Sequence, residues 1–122
     1  MENVEPSELF RKRAGRAVGL LKALSNENRL LVMCYLAEAQ EMSVGELADR
    51  LGLSQSALSQ HLGKLRDEGL VETRRQSQTI HYRVSDPKAV QLLTLLHDLF
   101  CPELGREDAP AAPEKRSIFD VA

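Results

Sequence analysis

The stretch that decides the fold runs from Met42 to Val84 and has the sequence MSVGELADRLGLSQSALSQHLGKLRDEGLVETRRQSQTIHYRV. It opens with Ser43, which is followed three residues later by Glu46, the pattern of a capping box at the start of a helix. Apolar side chains at helical spacing follow at Leu47, Ala48 and Leu51. Gly52 is a residue type typical of the position just beyond a helix end, so this segment predicts a short helix.

A second helix is predicted directly after a tight turn at Gly52-Leu53. Ser54 is a strong N-cap residue. Leu58, Leu62 and Leu65 then repeat on one helical face, and Gly69 is a suitable end.

The periodicity changes after Gly69. Leu70 to Arg74 and Thr79 to Val84 are rich in β-branched residues and predict two strands, joined by a loop over residues 75–78. A short helix, a tight turn, a capped helix and a two-stranded ribbon make a winged helix-turn-helix.

The flanking segments are predicted to be helical. Ser7 can cap a first helix that runs to about Ala23, and Ser25 or Asn26 can cap a second. A fifth helix starts at Asp86-Pro87 and carries seven apolar residues, Val90, Leu92, Leu93, Leu95, Leu96, Leu99 and Phe100. The predicted fold is therefore mainly α, with five helices and a small β-hairpin wing, in one domain over residues 1–101. Residues 102–122 contain three prolines and mixed charge and are expected to form a disordered tail.

Net charge neither requires nor excludes a nucleic-acid partner. The 122-residue chain carries −2, but five of its 18 acids and three of its 16 bases fall in residues 102–122, which leaves 13 of each before them. Between residues 54 and 83 the bases Lys64, Arg66, Arg74, Arg75 and Arg83 outnumber three acids. Phosphate contacts depend on such local basic residues.

The second helix of a helix-turn-helix lies in the DNA major groove, with its first residues at the base edges. Here the candidate DNA-contacting residues of that helix are Gln55, Ser56, Ser59, Gln60, His61 and Lys64. Gln can bond adenine through two edge atoms, and Ser suits bases or phosphates. The hairpin tip adds Arg74, Arg75 and Gln78 for backbone or minor-groove contact. The alternatives are a merely solvated polar surface and, for His61, a half-buried structural role.

The segment LSQSALSQHLGKLRDEGLV, residues 53–71, resembles the ArsR/SmtB family of dimeric winged-helix repressors, and the likeness extends over most of residues 15–101. The resemblance implies a homodimer built from the first and fifth helices. It also implies a palindromic double-stranded DNA operator that is released when an inducer is sensed.

The resemblance implies no metal site. Ser43 and Gly45 stand where metal-sensing members of the family carry cysteines, and neither replaces a thiolate as a soft-metal ligand. On the last helix Asp86, His97 and Asp98 are available, but the family's full histidine pair is missing. We expect no metal and no cofactor, although a metal-responsive repressor stays an alternative.

The chain has two cysteines, Cys34 and Cys101, and no CxxC motif. Their placement resembles a sulfide- and persulfide-responsive subgroup of the same family, in which two thiols of one subunit become joined by a disulfide or a longer polysulfide bridge. A direct disulfide needs Cα atoms within about 4.4–6.8 Å, and extra sulfur atoms would span a longer gap. We expect Cys101 to be the more accessible, attacking thiol and Cys34 the resolving partner. The alternative for Cys34 is a small core residue.

We therefore expect a cytoplasmic, non-enzymatic, dimeric repressor that responds to reactive sulfur species. The N-terminus lacks a signal-like apolar segment, and no apolar run approaches the roughly 20 residues that span a bilayer. The alternatives are a family member without thiol sensing that acts as an anti-repressor, a thiol enzyme and a protein-interaction module.

Overall fold

The computed structural model describes residues 5–101 and contains five helices and three short strands. In chain order they are α1 (Pro6–Leu24), α2 (Glu27–Ala39), β1 (Met42–Ser43), α3 (Val44–Leu51), α4 (Gln55–Asp67), β2 (Val71–Gln76), β3 (Thr79–Val84) and α5 (Pro87–Phe100). The predicted fold class, five helices with a small wing, is confirmed. The prediction for the tail over residues 102–122 lies outside the described residues.

Local capping sets the helix boundaries around the turn. Ser43 and Glu46 form the predicted capping box, and Gly52 ends α3 with φ +70°. The Ser54 hydroxyl accepts the backbone N–H of Ala57 at 3.0 Å and begins α4. Gly69, with φ +75°, follows the end of α4. Glycine suits both positions because a Cβ is disfavoured at positive φ.

Outside the helix-turn-helix, the predicted starts of α2 and α5 are confirmed and that of α1 is not. Asn26 caps α2 by accepting the N–H of Arg29 at 3.0 Å. The predicted Ser7 cap of α1 is wrong. Glu5 occupies the N-cap without a side-chain bond, and Pro6 starts the helix because its fixed φ is already helical. Asp86 caps α5 as predicted.

The wing is a three-stranded antiparallel sheet in the order β1-β3-β2. Ser43 pairs with His81, which pairs in turn with Arg74. The hairpin turn is tighter than predicted, because Arg75 and Gln76 belong to β2 and only Ser77 and Gln78 connect the strands. Strand β1 was not predicted, since two residues are too few to show an alternating pattern.

The core lies between α2, α3, α4, α5 and the sheet. Its largest fully buried side chains are Met33, Leu36, Leu47, Leu58, Leu62, Leu65, Leu70 and Leu93. The three leucines of α4 among them are the ones predicted to face inward. They fix the rotation of α4 about its axis, and with it the residues that face outward.

Helix α1 contributes little to this core. Of its 19 residues only Ala23 and Leu24 are buried, while Phe10 is 74% exposed and Leu21 56%. At the other end of the chain Leu95, Leu99 and Phe100 of α5 are also more than half exposed. Among the described residues no helix is both long and apolar enough to cross a membrane.

Candidate nucleic-acid interface and cysteine pair

The outward face of α4 carries an uninterrupted polar row. Ser56, Ser59 and Gln60 are exposed, and they lie opposite the buried leucines of the same helix. Gly63 continues the row one turn later, and outside the adjoining backbone of its own helix no heavy atom lies within 4 Å of where its Cβ would be. The sequence prediction did not include Gly63, because only the observed rotation of α4 shows that it shares this face.

The other predicted residues of α4 flank that row. Gln55 and Lys64 are exposed, whereas His61 is half-buried on the flank of the helix. Burial and, secondarily, the charge of Arg29 lower the pKa of His61. Arg29 is itself fixed, since its Nε donates to the carbonyl oxygen of Ala23 at 2.6 Å. His61 therefore lies apart from the polar row and beside a cation of α2.

The turn between α3 and α4 is closed by the backbone. The N–H groups of Gly52 and Leu53 both donate to the carbonyl oxygen of Ala48, at 2.8 and 3.1 Å. Arg50 of α3 lies 5.5 Å from the ring centre of Tyr35 in α2, a cation–π contact. These contacts hold α3 against α2 and present the first turn of α4 to solvent.

The tip of the wing exposes Arg75 and Gln78. Ser77 turns the chain there with φ +61°. Arg74 is also exposed, but its guanidinium is engaged: Nε and Nη2 donate to the two carboxylate oxygens of Glu41, at 2.8 and 2.7 Å. The sequence offers no signal for a pair of residues 33 positions apart, and Glu41 was not predicted.

A second ion pair lies on the same sheet. Arg83 Nε donates to Glu72 at 2.7 Å. Of the five bases between residues 54 and 83, Arg74 and Arg83 thus have acidic partners within the chain. The local excess of positive charge is concentrated on Lys64, Arg66 and Arg75.

Cys34 and Cys101 are both free thiols and both half-buried. Helices α2 and α5 pack together, with Cys34 against the core and Cys101 at the end of α5. Burial raises the pKa of Cys34 to about 11, and the charges of Cys101 and Glu38 add to the shift. The fold therefore brings the two thiols close enough for their charges to interact. We expected Cys101 to be the more accessible thiol, but both thiols are half-buried. The pKa of Cys34 is raised by that burial, which reduces its reactivity as a thiolate.

The positions considered for a metal have other roles. The Ser43 hydroxyl accepts the N–H of Glu46, and Asp86 accepts the N–H of Lys88. Asp86 and His97 lie at opposite ends of α5, about 16 Å apart at 1.5 Å per residue. Across residues 5–101 no three His, Cys, Asp or Glu side chains are grouped to hold a metal ion.

Comparison with known proteins agrees with this geometry. Residues 26–73 match the bacterial regulatory protein, arsR family. The chain is 52% identical over 90 residues to the transcriptional activator HlyU of Vibrio cholerae, covering 74% of this chain and 82% of that protein. It is 47% identical over 96 residues to the biofilm growth-associated repressor of Xylella fastidiosa, covering 79% and 83%. The structure of reduced HlyU from Vibrio cholerae superposes with a TM-score of 0.72 at 50% identity, covering 77% of this chain and 98% of that one.

Proposed function

Because this chain belongs to the arsR family of bacterial regulatory proteins, we propose that it is a homodimeric repressor that releases a palindromic DNA operator when Cys34 and Cys101 are joined through sulfur. Regulation of transcription is common to its similar relatives, which are described as an activator and a repressor.

The DNA-binding face in this proposal consists of the outward row of α4 and the wing tip. Ser56, Ser59 and Gln60 supply uncharged donors and acceptors that suit base edges. Arg75 and Gln78 supply contacts that suit the flanking backbone or minor groove. Lys64 adds a cation beside the row, where its charge would attract a phosphate.

The exposed apolar residues of α1 and α5 support the dimer. Phe10, Leu21, Leu95 and Leu99 expose more than half of their side chains, and Leu99 is 62% exposed. Large apolar side chains gathered on two helices usually mark an interface. In a twofold dimer the α1 and α5 faces of one protomer would cover those of its partner.

The observation that carries the sulfur switch is that the two cysteines of the chain lie on packed helices, α2 and the end of α5, where the charge of Cys101 acts on Cys34. In the first step the Cys101 thiolate attacks the terminal sulfur of a low-molecular-weight persulfide, a thiolate leaves, and Cys101 becomes a persulfide. The Cys34 thiolate then attacks the inner sulfur of that group, and hydrosulfide leaves as the disulfide forms. Two thiols are thereby oxidised and one sulfane sulfur is reduced to sulfide. A longer bridge forms when the attacking group is itself a persulfide.

The raised pKa of Cys34 fits the second role in this sequence. Only the thiolate attacks, so a buried thiol with a pKa of about 11 makes a poor first nucleophile. Once Cys101 carries a persulfide, its proximity to Cys34 compensates for the small thiolate fraction. The similar protein solved in a form described as reduced is consistent with thiol chemistry.

A bridge between α2 and the end of α5 would act on the dimer. The α4 helix of each protomer is the recognition helix, and the two must dock about one DNA turn apart. A small change in their spacing therefore prevents simultaneous contact. A 10- to 100-fold loss of affinity requires only about 1.4–2.8 kcal/mol of difference between the reduced and bridged forms.

The second candidate is a regulator of this family that binds DNA without sensing through thiols and competes with another DNA-binding protein. Its supporting observation is that Cys34 packs against the core, as a purely structural cysteine would.

The test uses a binding site selected from random double-stranded DNA. A glutathione persulfide donor should release the wild type from this site, while Cys34→Ser and Cys101→Ser should bind like the reduced wild type and not respond. Intact-mass spectrometry should show one intrasubunit bridge. Release of either single variant by persulfide would exclude the two-thiol switch, and failure of the reduced wild type to select any DNA would exclude the regulator itself.

A further inference from the structure

The Glu41–Arg74 contact spans the whole width of the wing sheet. Arg74 lies on β2 and is paired with His81 of the central strand β3, which is paired in turn with Ser43 of β1. Glu41 immediately precedes β1. The Arg74 side chain therefore crosses the central strand, a distance of about two strand spacings, or roughly 9.6 Å.

The contact between Arg74 and Glu41 is a bidentate pair of hydrogen bonds. Both carboxylate oxygens of Glu41 accept from Arg74, and Arg74 Nη1 also donates to Gln76 Oε1 at 3.0 Å. A hydrogen bond from Arg74 lowers the pKa of Glu41, and the same bond raises the pKa of Arg74. Bidentate pairs fix an orientation as well as a distance, which a lysine at the same position would not do.

The position of Glu41 makes this orientation relevant to the helices. Glu41 follows Gln40, the C-cap of α2, where the chain adopts φ +74° and turns from the helix into the sheet. Helix α2 packs against α3 and α4, the two helices of the helix-turn-helix. The contact thus connects the outer strand of the wing to the end of a helix that supports the recognition helix.

We infer that Glu41 is a positioning residue for DNA binding, which holds Arg74 as a strap across the sheet and so fixes how the wing projects from the helices. The inference rests on the proposed function, in which the wing tip contacts DNA. Arg74 then makes no phosphate contact, and Arg75 is the cation of the tip. The pair is solvent-exposed and adds little to folding stability. Its effect is on the orientation of the wing.

The alternative is that Arg74 binds a phosphate and Glu41 only holds it in the absence of DNA. The two cases predict opposite results for a charge reversal. A strap works with the charges exchanged, because Glu at position 74 can bind Arg at position 41. A phosphate ligand cannot be replaced by an acid.

The experiment compares Glu41→Arg, Arg74→Glu and the double exchange E41R/R74E in the full chain on a fixed DNA duplex. Each single variant should lose about 3- to 10-fold in affinity, and the exchange should return to within about twofold of the wild type. Circular dichroism and urea unfolding confirm that each variant is folded. A double exchange as weak as Arg74→Glu overturns the inference.

Two further measurements separate this inference from the proposed function. Arg74→Gln should leave the salt dependence of binding unchanged, and a slope smaller by about 1 would make Arg74 a phosphate ligand. If the wild type binds no DNA, the proposed function fails. If the wild type binds and only the exchange fails to rescue, the regulator stands and the strap alone is excluded.

Discussion

Arg74 and Arg75 are consecutive residues of β2 whose side chains lie on opposite faces of the wing sheet. Side chains alternate along a strand, and the register pairs Arg74 with His81 and Arg75 with Ile80. Arg74 turns toward Glu41 and is held there, whereas Arg75 lies on the other face near the tip. Two adjacent arginines therefore have different surroundings, one bonded to an acid and the other exposed near the tip.

Arg75→Gln is expected to reduce the salt dependence of DNA binding. Removing one phosphate contact lowers the magnitude of the slope of log affinity against log salt by about 1. Fluorescence anisotropy on non-specific duplex DNA between low and moderate salt measures this slope. Arg13→Gln, on exposed α1, is the matched control and should retain the wild-type slope. An unchanged slope in Arg75→Gln would remove Arg75 from the interface.

Gln60→Ala is expected to weaken binding to the selected DNA site by about 1–3 kcal/mol and to leave non-specific binding nearly unchanged. The reason is that Gln60 is exposed in the centre of the outward row of α4, where two edge atoms of a base can be bonded. Titrations on the selected site and on a scrambled duplex separate the two effects. Gln91→Ala on α5 is the control, and an equal loss on both duplexes would contradict a base contact.

Ser54→Ala is expected to cost about 1 kcal/mol of folding stability, because it removes the N-cap that accepts the Ala57 N–H. Ser54→Asp should retain most of it, since a carboxylate can accept the same bond. Urea unfolding followed by circular dichroism gives the difference. Ser56→Ala, the same change two residues later, serves as the control and should be nearly neutral. A larger loss in Ser56→Ala than in Ser54→Ala would refute the capping role.

The Cys34 thiol is expected to react slowly at neutral pH. In Cys101→Ser its alkylation by iodoacetamide should accelerate about tenfold per pH unit above pH 7. Loss of the Cys101 charge should lower the pKa of Cys34 from about 11, but burial, the largest cause, should keep it above 9.0. Stability should also fall as pH rises from 9.0 toward 11, because the unfolded chain releases this proton first. If the alkylation rate of Cys34 in Cys101→Ser reached its midpoint at or below pH 9.0, burial would not be raising the pKa of this thiol.

Leu99→Lys is expected to shift the proposed dimer toward monomer. Burying one leucine contributes about 1.5–3 kcal/mol. In a twofold dimer the substitution is present in both protomers, so the interface loses this contribution twice. Sedimentation velocity over a range of concentrations measures the change. Gln78→Lys adds the same charge at the exposed tip of the wing, outside α1 and α5, and should remain dimeric. If Leu99→Lys stays as dimeric as the control, α5 is not the interface.

The parts of the fold that could be predicted are those that depend on neighbouring residues. Ser43, Ser54 and Asp86 act as caps through bonds to backbone groups two or three residues away, so the sequence alone locates them. The buried leucines of α4 follow from helical spacing. Ser7 was a wrong cap because Pro6 competes for the helix start, and only the observed chain path decides between them.

The rest depends on contacts between distant residues. Strand β1 has no pattern of its own and exists because Met42 and Ser43 pair with β3. Glu41 reaches Arg74 through the sheet order, which the sequence does not specify. The raised pKa of Cys34 likewise needs the burial and the neighbouring charges that only packing supplies. Sequence therefore predicted the candidate residues, and the structure separated those that face outward from those that already have partners.

The ionisation of Cys34 also sets a time scale for the proposed response. At neutral pH a thiol with a pKa of about 11 is ionised in only a small fraction of molecules, so the bridge closes more slowly than it would with an ordinary thiol in the same place. During that delay a cellular reductant can remove the sulfur from Cys101 and restore the starting state. A brief pulse of persulfide would then pass without effect, and only sustained exposure would commit the regulator to releasing DNA.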